Sequence, residues 1–253
     1  MRVISVLMSV LLLTSCRIDK TDQSIGLSQS TVAIITADSM VENFGDGYST
    51  KAPEPNHENA RLKGQSEPDA SFVLTEENVV PFFFEYEKTL TEKNVRFETS
   101  MGSFTVRLFQ DVPYHRANLI YLAKKGYFEG TQFHRVVKDF IIQGGNTDNR
   151  KIAQKRSQIG RYLLPPDANK GHKHHRGIIS MPSSDTDNPY KLASPYEFFI
   201  VVTKPGSYHL DGNYTAFGEV IEGMDVVDHI NSVAVDQGDW PMQNVYILKA
   251  EAF

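Results

Sequence analysis

The 253-residue chain has one cysteine, Cys16, so no disulfide can form within it. It has no excess of positive charge either. Lys and Arg number 26 against 31 Asp and Glu, for a formal net charge of −5. That balance lacks the basic footprint of nucleic-acid binders, and no nucleic-acid partner is expected. Long hydrophobic runs are missing as well. Val3 to Leu13 is an apolar stretch of 11 residues, broken by Ser5 and Ser9, whereas a membrane-spanning helix needs about 20. No internal repeat is visible. At 40% hydrophobic and 23% charged, the rest has an ordinary globular composition, with room for one sizeable core and an appendage.

The N-terminus reads as a targeting segment. Arg2 gives a positive start, the short apolar stretch comes next, and small residues precede a possible cleavage point. Leu13-Thr14-Ser15-Cys16 resembles a bacterial lipobox. That resemblance implies a signal peptide over 1–15, cleavage before Cys16, a diacylglyceryl thioether on its sulfur and an acylated new N-terminus. Several acyl chains hold firmly where one is marginal. The expected location is the bacterial cell envelope, lipid-anchored, with the outer membrane favoured because Arg17 is no clear retention signal. The alternative is an ordinary or uncleaved secretory signal with a chance cysteine. Residues 16–72 read as a lipid-anchored flexible tether, since 43–69 is rich in Gly, Pro, Asn, Glu and Lys. Thr31 to Ile35 is its one strand-like patch.

Residues 73–93 predict a short helical lead-in, with Pro81 in the first turn and an aromatic face over Phe82 to Tyr86, packing on the domain after it. From Asn94 the pattern changes to alternation. Two apolar runs around Ser100-Met101-Gly102-Ser103 predict a β-hairpin. A helix starts at Pro113, with a stripe of Leu119, Leu122 and Ala123, and Gly126 ends it. Further strands are expected over 132–137, 140–143, 177–181, 197–203, 215–220 and 243–249, with a second short helix near 224–231. Many short strands and two helices predict a mainly β fold, a closed antiparallel barrel with helical caps.

Five segments carry a family resemblance. They are HRAN (115–118), GYFEGTQFHRVVKDFIIQGG (126–145), RGIISM (176–181), EFFIV (197–201) and LDGNYTAFGEVIEGMDVVDHI (210–230). In this order they resemble the cyclophilin family of peptidyl-prolyl cis–trans isomerases, over roughly residues 94–253. The resemblance implies an eight-stranded antiparallel barrel closed by two helices, with a groove on its outer surface, and no cofactor. It also implies a monomer whose partners are proline-containing segments of other proteins, here exported ones.

The residue roles are implied in the same way. Arg135 matches the catalytic arginine, and Gln143 matches a glutamine that hydrogen-bonds that arginine and the substrate backbone. Phe140, Ile141, Phe199 and Leu210 match the proline pocket. Phe133 and Phe198, as alternate strand residues, are expected to face inward. Departures from the family pattern fall on the same groove. Glu197 stands where a glutamine is usual and is a candidate partner for Arg135. His209 replaces a tryptophan, which predicts weak cyclosporin binding, and Tyr214 replaces a histidine at the rim. The segment 182–196 is several residues longer than its usual counterpart. These departures keep open a second function, a proline-peptide-binding chaperone or interaction module with little turnover, and a third, a structural envelope lipoprotein. His172, His174 and His175 lack the spacing and supporting shell of a metal site, and no metal is expected.

Overall fold

The computed structural model describes residues 72–184 and 188–253. The expected signal peptide, Cys16, the Thr31–Ile35 patch and the tether up to residue 71 lie outside the described residues. Eight strands, β1 (Asn94–Thr99), β2 (Gly102–Leu108), β3 (Gln132–Val137), β4 (Ile141–Asn146), β5 (Ile178–Ser180), β6 (Phe198–Val201), β7 (Ala216–Glu222) and β8 (Val245–Ala252), form the sheet. They close into a barrel in the order β1-β2-β7-β5-β6-β4-β3-β8, every pairing antiparallel. Closure leaves no free sheet edge, which removes a common route to aggregation.

The barrel is filled by side chains from alternate strand positions. Phe97 is fully buried between Phe104, Phe128 and Phe198, with ring centroids 5.1, 5.6 and 5.0 Å away. Phe133 meets Phe198 edge-on at 6.0 Å. Both rings therefore point inward, as alternation requires.

Four α-helices occur among the described residues: α1 (Val79–Glu87), α2 (Pro113–Lys124), α3 (Arg150–Ile159) and α4 (Met224–Asn231). The two caps expected from the sequence are α2 and α4. Pro113 opens α2, where its missing N–H costs nothing. Gly126, just past its end, takes the left-handed conformation (φ +61°) that other residues resist. Helix α3 is an addition to that pair. Its N-cap Asn149 accepts from the Lys151 N–H at 2.9 Å, but only Ile152 and Ile159 are buried, too sparse a stripe to read as an amphipathic helix.

Helix α1 lies against α2 through aromatic edges. Tyr121 of α2 receives Phe82, Phe83 and Tyr86 at 5.3, 5.8 and 5.5 Å. A buried charge reinforces the joint. Arg116, on α2, points its guanidinium at the Glu87 carboxylate (2.9 Å) and the Glu92 carbonyl (2.7 Å). Ahead of α1, Leu74 exchanges backbone hydrogen bonds with Ile159 and Arg161 at the end of α3.

Candidate active site

The register of three neighbouring strands builds the site. Arg135 on β3 lies opposite Gln143 on β4, and Gln143 lies opposite Phe199 on β6. Residues directly opposite share a face of the sheet. The next outward row is Val137–Ile141–Val201, and the row between, Val136–Ile142–Ile200, turns inward. Arg135 therefore projects from the barrel's outer face with its side chain 42% exposed, and it stands in the same row as Phe199.

Beside it lies a second apolar cluster, separate from the main core. Ile141, Phe199, Val201 and Leu210 are its buried members, with Val137, Phe140 and Tyr214 packed around them. His209 stacks on Phe140 at 5.5 Å, and Tyr214 meets Phe199 edge-on at 5.6 Å. The structure thus brings together Phe140, Ile141, Phe199, His209, Leu210 and Tyr214, residues spread over 75 positions (214 minus 140 plus one).

Leu210 and His209 reach the cluster on a short 3₁₀ turn, Tyr208–Leu210. His174 anchors that turn. Its carbonyl accepts from the Ser207 N–H (2.7 Å), and its own N–H donates to Asp211 Oδ1 (2.9 Å). Its ring bridges Asp211 Oδ1 and Ser180 Oγ, 2.8 Å to each. Burial pushes the His174 pKa below its ordinary value, against the opposing pull of Asp211. The neighbouring histidines turn elsewhere: His172 stacks on Phe109 and meets Asp111, and His175 meets Tyr208. The three rings do not converge on a common point.

Two contacts differ from those the sequence implies. Gln143 does not hydrogen-bond Arg135; its amide nitrogen donates to Glu197 Oε2 at 2.8 Å. Glu197, the candidate partner of Arg135, is occupied elsewhere. Asn146 donates to its Oε1 (3.1 Å) and His134 Nε2 lies 3.3 Å from Oε2. Burial alone would raise the Glu197 pKa, but the contacts with His134 and Gln143 and the nearby Arg156 charge outweigh it, leaving the carboxyl below its usual range. The reason is positional. Glu197 immediately precedes β6, where β4 passes so closely that a Cβ on Gly145 would stand 2.3 Å from the Tyr196 carbonyl oxygen. Its carboxylate meets the β4 side chains before it can reach across to Arg135.

Arg135 instead faces Asp239, whose Oδ2 lies 3.3 Å from Nη2. Sequence reasoning missed Asp239 because it lies in a loop 104 positions downstream (239 minus 135) with no periodic pattern around it. In the described part of the long segment 182–196, Asn188 links Ser183 to Leu192. Its amide donates to Ser183 Oγ and the Leu192 carbonyl, and its oxygen accepts from the Leu192 N–H, each at 2.9 Å.

The barrel interior is packed, and Arg135 and a small apolar cluster stand side by side on its outer face. The family model for cyclophilin-type peptidyl-prolyl cis–trans isomerases matches residues 94–252. Peptidyl-prolyl cis-trans isomerase CYP18-2 of Arabidopsis thaliana is 36% identical over 159 residues, which are 62% of this chain and 92% of that protein. Peptidyl-prolyl cis-trans isomerase-like 1 of Mus musculus is 35% identical over 161 residues, 62% of this chain and 90% of that protein. The crystal structure of a Cryptosporidium parvum cyclophilin-type peptidyl-prolyl cis-trans isomerase, determined in the presence of the dipeptide Ala-Pro, superposes with a TM-score of 0.53 at 26% identity. It covers 63% of this chain and 98% of that one. The chain belongs to the cyclophilin-type peptidyl-prolyl cis–trans isomerase family.

Proposed function

We propose that the isomerase activity of this family resides, in this chain, in the groove between Arg135 and the Phe140–Phe199–Leu210 cluster, with Arg135 as the catalytic donor. Peptide C–N rotation is slow because resonance gives the bond double-bond character, with a barrier of about 18–20 kcal/mol. Both isomers of X–Pro bonds are populated, and uncatalysed exchange takes tens to hundreds of seconds. No covalent bond has to break. The catalyst need only bind the twisted amide better than either planar one.

In the twisted state the proline nitrogen becomes pyramidal and exposes a lone pair. Arg135 can donate to it at any physiological pH, because a guanidinium does not lose its charge. The outer cluster gives the five-membered ring an apolar floor. A barrier of about 20 kcal/mol corresponds to roughly 0.01 per second, and lowering it by about 7 kcal/mol gives roughly a thousand per second. The observation that carries this reading is the shared row of Arg135, Gln143 and Phe199 across three strands. Arg135→Ala should lose most prolyl-peptide isomerisation while its unfolding temperature holds; equal rates in the two proteins would overturn the assignment.

A second reading, a proline-peptide-binding module with little turnover, draws on the diversion of the Gln143 amide to Glu197. The same assay separates the two, since a binding module shows saturable peptide binding without exchange. We further propose that the clients are exported proteins and that Cys16 carries the lipid anchor, on the strength of the lipobox-like Leu13–Cys16 stretch. Labelling with a radioactive fatty acid should mark the wild-type chain and leave Cys16→Ser unlabelled; equal labelling of both would refute the anchor.

A further inference from the structure

The carboxylate facing Arg135 sits on an unusually well-held loop. Asp239 occupies the left-handed backbone region, with φ +64°. Asp236 ties the loop together: its Oδ1 accepts from the backbone N–H groups of Gly238 (2.8 Å) and Trp240 (2.9 Å), and its own N–H donates to the Trp240 carbonyl (2.9 Å). The loop is also fixed to the catalytic strand. The Asp239 carbonyl accepts from the N–H of Val136, the residue after Arg135, at 2.8 Å. Trp240 lies beside His134, the residue before it, at 6.0 Å. Backbone and side chain of Asp239 therefore grip β3 at two adjacent residues.

A free arginine on an open surface samples many rotamers, and ordering it costs entropy. Gln143, opposite on β4, has its amide nitrogen engaged by Glu197. A backbone-fixed carboxylate supplies direction from the other side. It occupies at most two of the guanidinium's five N–H donors and leaves the rest for substrate.

We propose that Asp239 is a positioning residue for the isomerase reaction, holding the Arg135 guanidinium over the groove in a donating orientation. This rests on Arg135 being the catalytic donor. The pair is half exposed, with side-chain exposures of 42% and 39%, so its removal should barely affect stability. Its effect belongs to turnover.

Asp239→Asn is the informative change. Asparagine tolerates the left-handed backbone and keeps the side-chain shape while removing the charge. The four proteins to compare are the wild type, Asp239→Asn, Arg135→Ala and the double variant. kcat and KM would come from exchange measurements on a prolyl peptide at several concentrations, and unfolding temperature from a thermal scan. Asp239→Asn should lower kcat about threefold or more, with KM within about twofold and an unchanged unfolding temperature. In the Arg135→Ala background it should add nothing, because its partner is gone. A kcat equal to or above wild type, or the same fold-loss in both backgrounds, overturns the assignment of Asp239. If Arg135→Ala itself keeps wild-type rates, the catalytic reading of Arg135 is what fails.

Discussion

The apolar residues of β6 divide between two clusters. Phe198 and Ile200 enter the barrel interior, packed against Phe97, Phe128 and Phe133. Phe199 and Val201, one position out of phase, join Ile141 and Leu210 in the small outer cluster beside Arg135. All four are buried, so burial alone does not tell them apart. The direction of each side chain does. Members of the first cluster fill the barrel interior, while members of the second pack on its outer face beside Arg135. The same contrast holds between two arginines. Arg116 is buried and met by a carboxylate and a carbonyl; Arg135 is half exposed and met by one carboxylate on a loop.

Substitutions test that contrast, beginning with the largest effect. Phe198→Ala should cost about 3–5 kcal/mol in chemical denaturation, since it opens a cavity among packed aromatic rings. Phe199→Ala, buried in the smaller cluster, should cost about 3 kcal/mol and in addition lose most isomerase activity in a prolyl-peptide assay. Equal stability losses with equal residual activity would erase the distinction between the clusters. Glu87→Ala leaves the Arg116 cation buried without its carboxylate, and denaturant unfolding should show a loss of about 2–3 kcal/mol, moderated because Glu87 is partly exposed.

His115 probes the core by pH. Both ring nitrogens are buried without partners, and burial pushes its pKa from 6.5 down to about 3. The folded form therefore resists protonation that the unfolded chain accepts. Its titration leaves stability unchanged above pH 6.5 and lowers it as pH falls toward 3, by about 2 kcal/mol at pH 5. His115→Leu should flatten the stability profile across that window, measured by denaturant midpoints at several pH values. An unchanged slope would show that His115 does not set it. The smallest effect is expected at Glu197. Glu197→Gln leaves one acceptor oxygen where Gln143 and Asn146 each donate to a separate carboxylate oxygen, so one of the two contacts survives and activity should stay within about fivefold of wild type. A wild type without turnover that this substitution rescues would make Glu197 an inhibitor of the site.

Much of the barrel is legible from residues alone. Alternation marks β1 and β2, short apolar runs mark β3 and β4, and Pro113 and Gly126 bracket α2, because these signals are local. Helix α3 escapes because two isoleucines in ten residues leave no readable stripe. The groove is less legible. Phe198 and Phe199 look alike as neighbours in an apolar run, and the family resemblance distinguishes them where composition does not. The partners of Arg135 and Gln143 escape sequence reasoning because each contact spans a long stretch of chain. Glu197 is 54 positions from Gln143, and Asp239 is 104 from Arg135.

By itself, the order of residues determined which segments extend, which coil and which side chains alternate, since those preferences act within a few residues of one another. It also placed a permanent cation inside an apolar strand and so marked that strand as unlike the rest. Tertiary structure decided what the cation meets. Strand register and loop closure, set by packing over the whole barrel, brought Asp239 rather than Gln143 or Glu197 against Arg135, and no local preference could have made that choice.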